Sequence, residues 1–362
     1  MSGDPTPAGK PMNRCYRLRR RPQGPVTQAD LELVEEPVPA IARGQALVRT
    51  LWLSIDPANR IWMSEVHYNV PPVSIDGVMR GYGIGEVLES EREDMKPGDL
   101  VAGLTGWQDY VVADDEANEV PFTVLQSPPP AAPSAMLGVL GHTGVTAYLG
   151  VEDIGRPQPG ETMVVSAAAG AVGSVAGQIG KARGARVVGI AGSAHKCRHV
   201  VEQLSFDACI DYKRPDWRER LDEATPDGID VDFENVGGEV MNHVVGRLNA
   251  GARVVLCGLM SEYNAYGSPA GGRGQLLAER IMMSRALVQS FLVLDNAHRV
   301  PEAIEYLGGL IREGKLKHEE TVVTGLESAR DALNQMFEGS NTGKLLVKIA
   351  EPGDQVELST AA

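Results

Sequence analysis

Eight small residues, Ala167-Ala-Ala-Gly170-Ala-Val-Gly173-Ser174, follow the apolar run Thr162 to Val165 and precede a helical pattern from Val172 to Arg183. That order predicts a strand, a tight turn and a helix whose first backbone N–H groups can receive a dinucleotide pyrophosphate. Gly170 permits close backbone approach, Gly173 lets the helix pack on the strand, and Ala168 stands where a first glycine usually sits. Gly170, Ala171, Val172 and Gly173 are therefore candidate coenzyme contacts. A glycine pattern alone is a weak signal, so its weight comes from the surrounding elements.

About twenty residues further on, an Asp or Glu would hold the ribose 2′-hydroxyl of NAD. Here the stretch reads Ile190-Ala-Gly-Ser193-Ala-His-Lys196, without a carboxylate. Ser193 as helix N-cap and Lys196 one turn in suit a 2′-phosphate, which needs a point charge and hydrogen bonds. NADP(H) is the expected cofactor. The alternative is an ordinary capped helix carrying a solvated lysine. Metal chemistry is not expected: Cys15 is the only cysteine before residue 197, and His67 and His142 have no partner at ligand spacing.

The elements that must position these residues change character along the chain. Residues 30–130 read as short strands broken by Gly and Pro, with runs at Ala46 to Leu53, Gly83 to Leu88, Leu100 to Ala102 and Trp107 to Val112. This predicts a mainly β domain ending at the prolines after Ser127. From about 141, candidate strands at 162–166, 186–190, 208–211, 229–233, 252–257 and 288–293 alternate with helical stretches such as 195–204, 238–248 and 300–313. Six strands with helical crossovers predict an α/β, doubly wound parallel (Rossmann) sheet. Thr321 to Val323, a helix near 327–338 and a strand from Lys344 to Ile349 are expected to rejoin the first domain. The expected division is 1–140 completed by 316–350, with 141–315 between, and disordered tails at 1–12 and 351–362.

With 43% hydrophobic and 23% charged residues the composition is that of a soluble globular protein. A net charge of −14 opposes a general nucleic-acid or anionic-membrane role. The exception is the cluster Arg14, Arg17, Arg19, Arg20 and Arg21, read as a solvated strand and turn rather than a targeting or nucleic-acid arm. No run of eighteen apolar residues exists for a membrane span. Cys15, Cys197, Cys209 and Cys257 form no Cys-x-x-Cys pair, and are expected as reduced thiols, mostly buried in strands, in a cytoplasmic protein.

Motifs across both halves carry a resemblance: Ser54-Ile-Asp-Pro57 with Asn59-Arg60, Gly141-His-Thr-Gly-Val-Thr-Ala-Tyr148, the turn at 167–174, and Gly192-Ser193 with Lys196. Further matches are Asp211-Tyr212-Lys213, Phe233-Glu-Asn-Val-Gly-Gly238, Cys257-Gly258 through Tyr263, and Asn341-Thr-Gly-Lys344. From about residue 13 to 350 the chain resembles the zinc-independent medium-chain dehydrogenase/reductases. Within them it is most similar to the prostaglandin reductase, alkenal/one oxidoreductase and curcumin reductase group. The resemblance implies a GroES-like β catalytic domain beside the Rossmann domain, and a homodimer joined by the edge strand near Leu287 to Leu294. It implies that Lys196 and Tyr212 contact the 2′-phosphate, and that Asn235, Cys257, Gly258, Phe291, Leu292, Val293 and Asn341 line the nicotinamide side. It also places Asn59, Tyr82 and Tyr266 at the substrate pocket. Ala58 departs from the family, where a tyrosine often follows the Asp-Pro, and reshapes that pocket.

The implied activity is NADPH-dependent reduction of the carbon–carbon double bond of α,β-unsaturated ketones or aldehydes. Hydride reaching the β-carbon leaves negative charge on the carbonyl oxygen, which one well-aimed donor can stabilise. Tyr263 is the candidate donor, assisted by the cofactor ribose; a tyrosine that merely walls the pocket is the competing reading. Residues 261–275 read as a flexible substrate lid. Quinone reduction and non-catalytic NADPH binding are the alternative functions, separable by a panel of enones, enals and quinones.

Overall fold

The computed structural model describes residues 12–67, 70–125, 132–265 and 278–354. The two tails beyond these limits, the prolines after Ser127, most of the expected lid and Tyr266 lie outside the described residues.

Two sheets organise the chain. The first half supplies β1 (Met12–Leu18), β2 (Leu31–Pro37), β3 (Ala46–Ser54), α1 (Pro57–Trp62), β4 (Gly83–Ser90), β5 (Leu100–Gly103), β6 (Tyr110–Ala113) and β7 (Thr123–Val124). After α2 (His142–Leu149) come β8 (Thr162–Val165), α3 (Ala171–Ala182), β9 (Arg186–Ala191), α4 (Ala194–Glu202), β10 (Ala208–Asp211), α5 (Trp217–Ala224), β11 (Ile229–Glu234) and α6 (Gly238–Val245). The chain continues through β12 (Leu248–Leu256), α7 (Ala278–Ser284), β13 (Leu287–Ser290), α8 (Val300–Arg312), β14 (Glu320–Thr324), α9 (Ala329–Glu338) and β15 (Lys344–Lys348).

The parallel sheet runs β10-β9-β8-β11-β12-β13, the doubly wound order with its switch point between β8 and β11. Its central strands are buried on both faces: β8 is a short apolar run, while β11 carries the buried carboxyls of Asp232 and Glu234 between its apolar residues. Amphipathic helices cover it: Ala303, Leu307 and Leu310 of α8 recur at helical spacing and all are buried. The second sheet runs β14-β15-β3-β4-β5-β7, with β6 pairing β3. The last two strands thus return to the first half, with Leu346 opposite Ser54. The fold is a Rossmann sheet beside a GroES-like, mainly β unit.

Three local readings are corrected. β13 stops at Ser290, so Phe291 to Val293 leave the ladder instead of extending it. β12 begins at Leu248, opposite Ile229 and four residues before the expected start, and its register then shifts so that Arg253 faces Val231. The expected strand over 107–112 is divided: Trp107 N–H bonds Met79 O at 2.7 Å while Tyr16 N–H bonds Trp107 O, and only Tyr110–Ala113 pairs with β3. The arginine cluster lies in or just after β1, antiparallel to β2, with Arg19 and Arg20 exposed to solvent as expected, and it is also ion-paired. Arg14 meets Asp109 at 2.7 Å, Arg17 meets Glu36, Arg19 meets Glu32 and Asp76 at 2.6 Å, and Arg20 meets Asp30. Arg21 donates to the carbonyls of Val73 and Met63.

Candidate active site

The loops at the carboxyl ends of β8 and β11 are tied to each other. Ser166 Oγ donates to Glu234 Oε1 at 2.7 Å and accepts the Asn235 N–H at 2.7 Å, while Asn235 Nδ2 donates to Ser166 O at 2.8 Å. These bonds brace the crevice at the switch point. The small-residue turn closes directly on α3: a Cβ at Gly173 would lie 2.4 Å from Ala167 O. Gly173 therefore seats the helix on the turn, more than on the strand. The turn's left-handed residue is Ala167, with φ of 50°. Ala168 is fully buried, and Gly189 in β9 makes room for it: a Cβ there would be 2.8 Å from the Ala168 methyl.

A cavity of about 360 Å³ opens from this turn between the two sheets. Gly170, Ala171, Val172 and Gly173 line it, as do Lys196, Tyr212, Asn235, Cys257, Gly258, Phe291, Leu292, Val293, Asn341, Tyr82 and Tyr263. Two expected members are placed elsewhere. Asn59 is fully buried beneath the cavity: its Oδ1 accepts the Asp56 N–H and its Nδ2 donates to Arg80 O, completing a capping box on α1. Ser193 is the N-cap of α4, its Oγ accepting the Lys196 N–H at 3.2 Å, and does not face the cavity. The spacing Asp56-Pro57-x-Asn59 carried the capping signal from the start.

At one end of the cavity Gly192 lies under Tyr212 and Lys213; a Cβ there would come within 3.1 Å of the Tyr212 ring and 3.4 Å of the Lys213 stem. Burial first, then the neighbouring Lys213 charge, pushes the Lys196 amine down. Neither lysine is ion-paired among the described residues, so this end holds two cationic side chains awaiting an anion.

At the other end a polar group escaped sequence reasoning. Lys344, almost wholly buried, donates to Ile55 O at 2.7 Å and to Asp56 Oδ1 at 3.0 Å; Ser54 Oγ donates to the other Asp56 oxygen. Burial would raise the Asp56 carboxyl, but Lys344 and Ser54 together hold it below its usual value. Tyr82 and His142 stack over this pair with ring centroids 5.4 Å apart. Burial, then the Asp56 charge, lifts the Tyr82 phenol to about 12, and loss of solvent pushes the His142 imidazole down. Both rings are therefore neutral near pH 7. Tyr263 is 9% exposed and its oxygen accepts the Leu259 N–H at 3.0 Å, which fixes the phenol at the cavity surface. Among the described residues no group of three or more His, Cys, Asp or Glu could hold a metal ion.

Residues 14–120 match the family described as the N-terminal domain of oxidoreductase, and residues 171–308 match the one described as zinc-binding dehydrogenase. The chain is 42% identical to the NADPH-dependent curcumin reductase of Escherichia coli (strain K12), covering 94% of this chain and 98% of that protein. It is 34% identical to the NADP(+)-dependent 2-alkenal reductase of Nicotiana tabacum, over 93% and 98%. The crystal structure of CurA in complex with NADPH from Vibrio vulnificus superposes with a TM-score of 0.88 at 41% identity, over 94% of this chain and 100% of that one.

The chain belongs to the zinc-independent medium-chain dehydrogenase/reductases, in the group of curcumin, alkenal and prostaglandin reductases. In this reductase the short apolar residue Ala58 lines the cavity, as do Ile61, Trp62, Tyr82 and His142.

Proposed function

We propose that this reductase uses NADPH to reduce the carbon–carbon double bond of α,β-unsaturated ketones or aldehydes. The observation that carries the reading is Lys196 lining a cavity that also presents Tyr263, with a second lysine, Lys213, beside it against Gly192 and without an ion pair among the described residues. Two cations, with no carboxylate at the end of β9 and Asp211 turned to the Lys213 N–H at 3.1 Å, suit a phosphorylated adenosine ribose and disfavour a bare one. The fit extends along the turn, where a Cβ at Gly170 would meet only Ala167 O at 3.1 Å, leaving the α3 amides open to an anion. Relatives named as NADPH-dependent curcumin and NADP(+)-dependent 2-alkenal reductases support the same chemistry.

When bound, NADPH supplies a hydride to the β-carbon of the substrate. The protein's part is to place the carbonyl oxygen against a donor and keep water out. Tyr263 is that donor: its oxygen, by accepting the Leu259 N–H, polarises its own O–H toward the charge that develops on the substrate oxygen. Tyr82 and His142, both neutral and tilted 33° to each other, form an aromatic wall that adds no competing charge. Asn235 and Asn341 line the cavity where the nicotinamide amide would lie.

The same reading makes the protein a cytoplasmic homodimer built from the two sheets as one catalytic unit. β13 is an edge strand, and Leu287 at its start and Met282 and Met283 on α7 are exposed, an apolar margin that a second copy would cover. A single species at monomer mass in sedimentation rejects the dimer.

The activity is tested with a panel of enones, enals and quinones assayed with NADPH and NADH side by side. Faster turnover of enones and enals with NADPH supports the reading; preferential quinone turnover, or tight NADPH binding with no turnover, overturns it. Tyr263→Phe is expected to lower turnover at least tenfold, about 1.4 kcal/mol of barrier, with coenzyme affinity kept; unchanged turnover removes Tyr263 from the mechanism.

A further inference from the structure

Cys197 sits in the first turns of α4, directly after Lys196, and Cys209 lies in β10, three residues before Tyr212. Nothing in their sequence spacing announces a pair, yet Cys209 Sγ lies 3.1 Å from Cys197 Sγ, with both thiols free and part-exposed. A disulfide needs a sulfur–sulfur length of about 2.05 Å, so closure asks for a movement of about 1 Å. We propose that Cys197 and Cys209 form a reversible disulfide, driven by a hydroperoxide, that gates the 2′-phosphate end of the coenzyme cleft. The gating half rests on the assignment of Lys196 and Tyr212 to that phosphate; the disulfide half does not.

The surroundings divide the labour between the two sulfurs. The hydrogen bond from Cys209 pushes the Cys197 thiol down, against its partial burial, and the same bond together with burial pushes Cys209 far up. Cys197 is therefore the nucleophile and Cys209 the resolving thiol. The Cys197 thiolate attacks one peroxide oxygen; the O–O bond breaks, and the departing oxygen takes up a proton to leave as water or an alcohol. Cys209 sulfur then attacks the sulfenic sulfur, the S–S bond forms, and the hydroxyl leaves with the Cys209 proton as water. Two electrons pass from the two sulfurs to the peroxide, and an external dithiol reverses the change. The other thiols are poorly placed to compete: Cys15 is fully buried, and burial with the Glu234 charge lifts Cys257 to about 12.

Closure draws the first turns of α4 toward β10. Lys196 rides on the former and Tyr212 follows the latter, so the disulfide alters the spacing of two cleft residues at once. NADH, lacking the phosphate, is indifferent to that spacing.

The test treats the purified full chain with equimolar hydrogen peroxide, counts thiols, maps peptides without reduction, and titrates NADPH and NADH by fluorescence. The expected result is a fall from four thiols to two, one cross-linked peptide joining Cys197 to Cys209, and reversal by dithiothreitol. The NADPH Kd rises about fivefold or more, at the low end of ordinary coupling between sites, while the NADH Kd is unchanged. Cys209→Ser binds NADPH normally, forms no cross-link and loses the response. Four surviving thiols, a cross-link through Cys15 or Cys257, or sulfinic acid at Cys197 alone overturns the disulfide. A mapped Cys197–Cys209 bond with an unchanged NADPH Kd overturns the gating. Equal affinity for the two coenzymes before peroxide refutes the phosphate assignment, and with it the gating, while the thiol count judges the bond independently.

Discussion

Replacing Lys196 by Ala removes one of two cations at the adenosine end of the cleft while leaving the Ser193 cap intact, because the cap bonds the Lys196 backbone N–H. Two opposite unit charges about 4 Å apart attract by about 4 kcal/mol at an effective dielectric of about 20. Lys196 is part-buried and already disfavoured by its neighbour Lys213, so part of that attraction repays desolvation. A charged hydrogen bond nets about 1.5–3 kcal/mol, or about ten- to 150-fold in affinity. The NADPH Kd of Lys196→Ala should rise by that factor, the NADH Kd should stay within about twofold, and Lys213→Ala on top should weaken NADPH again. Fluorescence titration at two ionic strengths reads both. The reasoning is refuted if NADPH and NADH weaken equally, since the loss would then be one of helix structure. An unchanged NADPH Kd refutes it from the other side.

Other residues give independent tests. Gly173→Val must displace Ala167 O from the 2.4 Å position of the new Cβ, so coenzyme affinity should fall at least tenfold and thermal stability should drop by about 1–3 kcal/mol. Lys344→Met leaves Asp56 buried and unpaired; calorimetry at pH 7 should show a loss of about 3–5 kcal/mol. Asp56 has a depressed native value, so the stability from its pairing is present at neutral pH and lost as pH falls through the acid range; the variant's deficit should shrink with it. Asp232 behaves oppositely. Both its oxygens are buried without a hydrogen-bond partner, and burial and then Glu234 raise its carboxyl well above the usual range. A raised native value costs stability as pH rises above the unfolded value, so Asp232→Asn should raise the Tm more at pH 8 than at pH 4.

What was legible in the sequence was what local pattern encodes. The parallel strands are mostly apolar runs, although β11 alternates Asp230, Asp232 and Glu234 with its apolar residues, and β8, β9, β10 and β11 fall within a residue of their expected positions. The small-residue turn and the Ser193 cap are likewise local. The strand under the arginine cluster was legible, but the ionic partners were not, because Glu36, Asp76 and Asp109 come from distant segments. The Lys344–Asp56 pair spans 288 residues, and no local spacing announces it. Asn59 was misplaced for another reason: its role as a helix cap was written in Asp56-Pro57-x-Asn59, and a pocket role taken from likeness overrode it.

Gly343 N–H bonds Ala169 O at 2.7 Å, and Gly170 bridges Gly343, so the phosphate turn of one sheet is sewn by main chain to the strand that enters the other. Lys344 anchors the next residue to Asp56. Such a seam couples the two sheets at the turn, so whatever displaces Gly343 displaces Ala169 on one side and Lys344 on the other. A Cβ at Gly343 would lie 2.0 Å from Glu319 O at a φ of 66°, so Gly343→Ala should disturb coenzyme binding and the Lys344–Asp56 pairing in one step.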